Sequence, residues 1–209
     1  MTDRATMVEK QLRRRDITDP RVLAAFAAVP RDAFVAPEQH ASAYEDTPLP
    51  IGHGQTISQP YIVALTLQAL RLTGTEHALD IGTGSGYAAA VLARLVRHVD
   101  TVERIHDLAN AAEARFKALG ITNIRVHRGD GTLGWPEHAP YDAIAVAASA
   151  PDVPKSLLHQ LSIGGRIVIP VGNDDAQHLV RLVRESDVCF LRSDLGDVRF
   201  VPLVGAEGW

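Results

Sequence analysis

The 209-residue sequence contains a single cysteine, Cys189, which excludes an intrachain disulfide and fits a reducing compartment. No uninterrupted apolar stretch approaches the roughly 18 residues of a membrane span. The opening Met1-Thr2-Asp3-Arg4 places charges before any apolar run, unlike a secretory h-region. A cytoplasmic protein with no membrane partner is the resulting expectation. Basic charge is also not in excess: 21 Lys and Arg stand against 25 Asp and Glu, for a net charge of -4. That balance offers no footprint for nucleic acid. The basic cluster Lys10, Arg13, Arg14 and Arg15 falls on an amphipathic stretch and reads as a solvated face. Nine histidines are present, yet none stands at H-E-x-x-H or comparable ligand spacing, so no metal site is expected. Internal repeats, low-complexity tracts, coiled-coil seams and large apolar stripes are likewise missing, and a monomer is expected.

What is present is ordinary globular composition, 46% hydrophobic and 22% charged, in a length suited to one main domain. We divide it into a helical cap and active-site loop over 1–60 and a core over 61–209. Met7 and Leu12, then Val22, Leu23, Phe26 and Val29 recur at helical spacing, and Pro30 ends the second run. From Tyr44 to Pro60 Gly, Pro and Thr abound without sustained periodicity, which predicts a long functional loop. Strands and helices then alternate. Strands are predicted at Ala78–Ile81, Val99–Val102, Ile124–His127, Tyr141–Val146 and Arg166–Val171. Helices are predicted at Tyr87–Val96, Ile105–Leu119 and Pro154–Leu161. Such alternation implies an α/β fold, a doubly wound Rossmann-like sheet with helices on both faces. The two-residue period at Leu179–Val183, Val188–Leu191 and Val198–Leu203 predicts antiparallel additions at its C-terminal edge.

The strongest local signal is Leu79-Asp80-Ile81-Gly82-Thr83-Gly84-Ser85-Gly86-Tyr87, a glycine-rich turn between the first core strand and its helix. Gly82 and Gly84 allow a tight turn and a close backbone approach to a ligand at the carboxyl ends of the strands. The G-x-G-x-G spacing departs by one residue from the dinucleotide fingerprint, in which a pyrophosphate rests on the helix N-terminus. It suits S-adenosylmethionine, which has no phosphate. Glu103, at the end of the second strand and about 20 residues on, stands where an acidic side chain takes ribose hydroxyls. In Gly129-Asp130-Gly131, Asp130 could accept from an adenine amino group while Gly131 keeps the turn open; an Asp-Gly surface turn is the plainer alternative. Thr83, Ser85 and Arg104 complete the candidate cofactor set. Asp80 either contacts ligand or braces the glycine turn. A hydrolase elbow is excluded, because Thr83 occupies the position two before Ser85 where that motif needs glycine.

The segment Pro48-Leu49-Pro50-Ile51-Gly52-His53-Gly54-Gln55-Thr56-Ile57-Ser58-Gln59-Pro60-Tyr61 resembles the signature of the protein-L-isoaspartate O-methyltransferase family. Other blocks follow in the family's order: Val29-Pro30-Arg31 with Phe34-Val35, Gly129-Asp130-Gly131 with Gly134-Trp135-Pro136, Gly164-Gly165-Arg166 with Ile169-Pro170-Val171-Gly172, and Arg199-Phe200-Val201-Pro202-Leu203. The resemblance spans almost the whole chain. It implies methyl transfer from S-adenosylmethionine to the free carboxylate of isoaspartyl residues in damaged proteins and peptides, followed by collapse of the ester to a succinimide. By the same resemblance Ser58 is the active-site serine, Thr56, Ile57 and Gln59 help line the cofactor pocket, and Ser58 with Val201, Pro202 and Leu203 meets the substrate. Ser58 also stands where a helix N-cap is wanted, two residues before Pro60. Both roles stay open at this point, as does a different acceptor on the same fold. Two departures stand out: Ala147 where relatives often carry threonine, and Asp80 in place of the commoner glutamate.

Overall fold

A computed structural model describes residues 2–173 and 175–209. The chain opens with α1, Arg4–Thr6, whose N-cap Asp3 accepts from the Thr6 N–H at 2.7 Å. The helical path runs on through a wide-turned Met7–Leu12 segment and a tight Arg13–Arg15 turn. In α2, Pro20–Ala28, Asp19 caps the N–H groups of Arg21 and Val22, and Pro20 occupies a first-turn position that needs no donor. Val29, forced toward extended backbone by Pro30, stops it. Val22, Leu23 and Phe26 are buried.

The stretch expected to be a featureless loop contains a hairpin. β1, Leu49–Gly52, pairs antiparallel with β2, Gln55–Ile57. His53 and Gly54 both take positive φ, 52° and 69°, the backbone of the tight turns that match strand twist. Strands of three and four residues are too short to show alternation, which is why periodicity missed them. α3, Pro60–Ala69, follows.

Seven strands form the main sheet. β3 is His77–Ile81, β4 His98–Glu103, β5 Ile124–Arg128, β6 Tyr141–Val146, β7 Leu161–Gly172, β8 Gln177–Arg184 and β9 Phe190–Val198. Their order is β5-β4-β3-β6-β7-β8-β9, parallel from β5 through β7 and antiparallel beyond. The connecting helices are α4, Tyr87–Leu92, α5, His106–Ala118, and α6, Lys155–His159. Gly120, at φ 65°, lies just beyond α5 in a left-handed conformation. α4 and α6 are shorter than predicted, and β7 starts five residues earlier than the predicted Arg166. The expected edge strand at Val198–Leu203 is corrected: β9 ends at Val198, and the chain then leaves the sheet edge. It runs instead beside Ser149, whose N–H donates to the Val201 carbonyl at 2.8 Å and whose carbonyl accepts from the Leu203 N–H at 2.7 Å. Pro202, without a donor, suits this short bridge better than a ladder.

Alternation along the strands feeds two apolar layers. Ala78, Val99, Ala143 and Val168 face a cluster that includes Met7, Leu12, Phe26, Phe34 and Tyr87. Leu79, Ile144 and Ile167 face another, with Tyr141, Leu157 and Leu203. The N-terminal cap is thus one covering layer of the sheet, and it brings the hairpin to the carboxyl ends of β3, β4 and β6.

Candidate active site

The glycine turn is shaped by backbone demands and held by acids. Gly82 and Gly84 take φ of 89° and 53°, and the Gly82 N–H donates to the Val102 carbonyl at 3.0 Å, tying the turn to β4. The nearly buried Glu103 carboxylate spans two loops: Oε2 accepts from the Gly84 N–H at 2.8 Å and Oε1 from the Ile105 N–H at 2.9 Å. Each oxygen keeps a lone pair for a ligand. Asp80 is a brace, acting through side chains rather than backbone N–H groups. The Thr101 hydroxyl donates to its Oδ2 at 2.6 Å, and the Thr83 hydroxyl lies 2.6 Å from that of Thr101, completing a chain from strand to turn. Burial, with Glu103 adding repulsion, pushes the Asp80 carboxyl up to about 6.

The 43–60 segment is fastened by a buried cation. Arg31 is fully buried, and its guanidinium donates to the carbonyls of Ala43, Thr47 (3.1 Å) and Ser58 (3.1 Å). Burial lowers its pKa from the ordinary value, but arginine remains protonated. Asp46 settles the cap question: its Oδ1 accepts from the Tyr61 N–H at 2.9 Å, while the N-cap residue of α3 is Gln59 and no hydrogen bond joins the Ser58 side chain to the helix. Arg15 pairs with Asp46 and stacks 3.7 Å above the Tyr61 ring. With its backbone held and helix α3 capped elsewhere, the Ser58 hydroxyl has no partner within the described chain.

Ser58 lies where three spaces meet. The cavity beside the glycine turn encloses about 770 Å³ of free space, counting its open mouth. Thr56, Ile57, Ser58, Gly82, Thr83, Gly84, Ser85, Glu103, Arg104, Gly131, Val201, Pro202 and Leu203, all expected from the sequence, converge on it. A groove lined by Arg15, Gln59, Tyr61, Arg199 and Phe200 opens from the same point, and Thr56, Ser58, Ala147 and Val201 belong to both. Beneath lies a small apolar recess bounded by Ile62, Val63, Leu67 and Asp80. Gln59 therefore faces the groove, and Asp80 the recess.

Asp130 lies outside the cavity. Its Oδ1 accepts from the Thr132 N–H and hydroxyl at 2.9 and 2.7 Å, and its Oδ2 from the Ala206 N–H at 2.7 Å. A Cβ on Gly205 would sit 1.9 Å from Asp130 Oδ1, so the chain end is pressed onto this carboxylate. Hydrogen bonds hold the Asp130 carboxyl below its ordinary value despite burial. Sequence reasoning missed Ile105 and Val204 on the cavity wall and Arg15 on the groove. Ile105 follows Glu103 closely enough to have been inferred; Arg15, read as part of a solvated face, reaches the site only through the fold of the cap.

A cavity at the carboxyl ends of a doubly wound sheet, with a glycine turn on one side and a strand-terminal glutamate on the other, defines an S-adenosylmethionine-dependent methyltransferase. Two buried carboxylates and no phosphate cradle suit a cationic sulfonium nucleoside. The model of the protein-L-isoaspartate(D-aspartate) O-methyltransferase family matches residues 2–208, and the chain belongs to that family. It is 59% identical over 204 residues to a protein-L-isoaspartate O-methyltransferase of Rhodopseudomonas palustris, covering 97% of this chain and 94% of that one. It is 58% identical to one from Pelobacter propionicus, covering 99% and 92%. Among solved structures, a protein-L-isoaspartate O-methyltransferase superposes with TM-score 0.88 at 29% identity, over 99% of this chain and 67% of that one. A Plasmodium falciparum protein described as a beta-aspartate methyltransferase, in complex with S-adenosyl-L-homocysteine, superposes with TM-score 0.85 at 29% identity, over 98% and 99%. No described helix is long and apolar enough to cross a membrane.

Proposed function

We propose that this chain methylates the free carboxylate of L-isoaspartyl residues, taking peptide along the Arg15–Arg199 groove and cofactor in the adjoining cavity. The observation that carries this reading is the position of Ser58 at the junction of the two. Glu103 receives the ribose hydroxyls, and the glycine turn receives the amino-acid end of the cofactor. When bound, S-adenosylmethionine supplies a methyl group on a sulfonium: the oxygen–methyl bond forms as the methyl–sulfur bond breaks, and the two charges cancel.

The acceptor needs no strong base, because an unperturbed carboxylate is already ionised at neutral pH. What the chain contributes is alignment, which in ideal intramolecular cases supplies on the order of 7 kcal/mol. Ser58, with a free hydroxyl and a backbone held by Arg31, donates to the isoaspartyl carboxylate and sets its angle of approach. Val201, which borders both groove and cavity, offers a wall to the peptide, and Pro202 and Leu203, held beside Ser149, carry that wall into the cavity where the isoaspartyl carboxylate meets the methyl group. Arg199 places a guanidinium on the groove wall beside Asp197, while the Arg15 guanidinium is already paired with Asp46.

The test is transfer of labelled methyl to an isoaspartyl peptide and to its normal aspartyl counterpart. Base-labile label on the first and little on the second is expected. Equal labelling of both would refute the isoaspartyl assignment.

A further inference from the structure

At the amino ends of the strands lies a second cluster that methyl transfer does not use. β3 and β4 pair with His77 opposite His98, and Asp100 follows His98 by two residues, so all three side chains leave one face. Asp100 is fully buried. Its Oδ2 lies 2.6 Å from His77 Nε2, and its Oδ1 lies 2.6 Å from His127 Nε2 and 3.0 Å from His138 Nδ1. Among the described residues no lysine or arginine pairs with this carboxylate; its ionic partners are imidazoles. A buried carboxylate whose polar partners are all imidazoles presents, with those rings, the kind of mixed N and O donor cluster that transition metals take.

The four rings are not equivalent. Arg125 donates to His138 Nε2 at 3.2 Å, which fixes Nδ1 as the N–H that donates to Asp100. His127 is 8% exposed and stacks on Trp135 with ring centroids 4.1 Å apart. These two rings orient the carboxylate. His77, His98 and His138 all reach solvent, with side chains 21%, 31% and 27% exposed, but both ring nitrogens of His138 are already engaged, by Arg125 and Asp100. His98 Nε2 stands 3.8 Å from Asp100 Oδ1, directed at the carboxylate but beyond hydrogen-bond range. The ligand-capable atoms of His77, His98 and Asp100 lie within 4.8 Å of one another.

We propose that His77, His98 and Asp100 bind a divalent first-row transition-metal ion of the zinc class, with solvent completing its shell. Two imidazoles and one carboxylate form a donor set that such ions take, and the N–H groups of His127 and His138 orient the ligating carboxylate as outer hydrogen bonds do in metal sites. The ion adds positive charge beside the buried Asp100 carboxylate and ties the amino ends of β3 and β4 together. Its ligands on β4 lie about 10 to 16 Å along the strand from Glu103, at roughly 3.3 Å per residue, and it takes no part in methyl transfer.

The test uses the full chain stripped with a chelator, then titrated with zinc chloride by calorimetry and with cobalt chloride by visible absorption. One-to-one zinc binding, a cobalt d–d band, and a Tm raised by roughly 5–10 °C at a hundredfold excess over Kd are expected, with turnover unchanged. His98→Gln should weaken binding at least tenfold yet leave the metal-free Tm in place, since that ring makes no hydrogen bond to Asp100. His77→Gln should also weaken it, and His40→Gln, at an exposed position outside the cluster, should not. Absence of stoichiometric binding, or binding that both His98→Gln and His77→Gln leave intact, would overturn the proposal and reduce the cluster to a hydrogen-bonded network. If His77→Gln fails to fold, His98→Gln decides alone.

Discussion

The two ends of the same two strands, β3 and β4, differ in how their chemistry is encoded. At the carboxyl end Asp80, Gly82, Gly84 and Glu103 lie on or beside one strand–turn–helix unit, so short spacings carry the geometry. At the amino end His77, His98, Asp100, His127 and His138 meet only because parallel register sets His77 opposite His98 and brings β5 alongside. Local spacing therefore announces one site and hides the other. The ends also differ in what they hold: a glutamate bonded to backbone N–H groups and an aspartate bonded to a threonine hydroxyl above, and a carboxylate ringed by imidazoles below.

The comparison breaks if a change at one end is felt at the other. The largest effect is expected from Arg31→Met, which leaves the carbonyls of Ala43, Thr47 and Ser58 without their donor. Unpaired buried acceptors cost about 1–3 kcal/mol each, so a loss on the order of 3–5 kcal/mol and a Tm lower by roughly 10 °C or more follow for a chain of this size. Thermal unfolding measures it. The Tm increment produced by zinc should survive; its disappearance would mean that the hairpin and the histidine cluster are coupled.

Next in size is Glu103→Ala. Two charge-assisted hydrogen bonds to Gly84 and Ile105 and the ribose contact are lost together. At about 1.5–3 kcal/mol for a hydrogen bond to a charged group, cofactor affinity should fall about a hundredfold or more by calorimetry. A change below tenfold would remove Glu103 from the ribose site. Zinc binding should be unchanged.

The limits of reading the sequence have the same physical origin as the contrast between the ends. The parallel strands were legible to within a residue or two, because buried strands are continuous apolar runs; β7 was the exception, starting well upstream of its apolar run. The hairpin was not, since its two strands are too short to alternate, and Val198–Leu203 looked like a strand although Pro202 removes a ladder donor. Within the site, the glycine turn and Glu103 were legible from spacing. Asp130 was read as an adenine acceptor, and nothing in the spacing announced that its Oδ2 also takes the Ala206 N–H, 76 residues on. Asp46, 15 residues before Tyr61, took the cap that nearness seemed to assign to Ser58. Partners distant along the chain are set by packing, and no spacing rule reports them.

Ser58→Ala sharpens the division of labour inside the carboxyl end. Loss of one hydrogen bond to a charged group, about 1.5–3 kcal/mol, should lower kcat roughly 10- to 100-fold. Cofactor affinity should move less than threefold, and Tm should not change, because the hydroxyl caps nothing. A lowered Tm with full activity would return Ser58 to a structural role.

The smallest effect expected is the response of cofactor affinity to pH, and it isolates Asp80. Its folded pKa, about 6, lies above the ordinary 3.8, so between those values the folded chain holds a proton that the unfolded chain has released. Its contribution to stability is therefore complete below about pH 4 and is lost as pH rises through about 6. The cationic cofactor favours the opposite state, the ionised carboxylate. Between pH 7 and 5.5 the ionised fraction of a group titrating near 6 falls about fourfold, and cofactor affinity should fall by about that factor. Asp80→Asn should flatten this slope and retain the Thr101–Thr83 chain, since an amide oxygen still accepts from the Thr101 hydroxyl. A slope of the same steepness in Asp80→Asn would place the titrating group elsewhere, with Glu103 the next carboxylate to substitute.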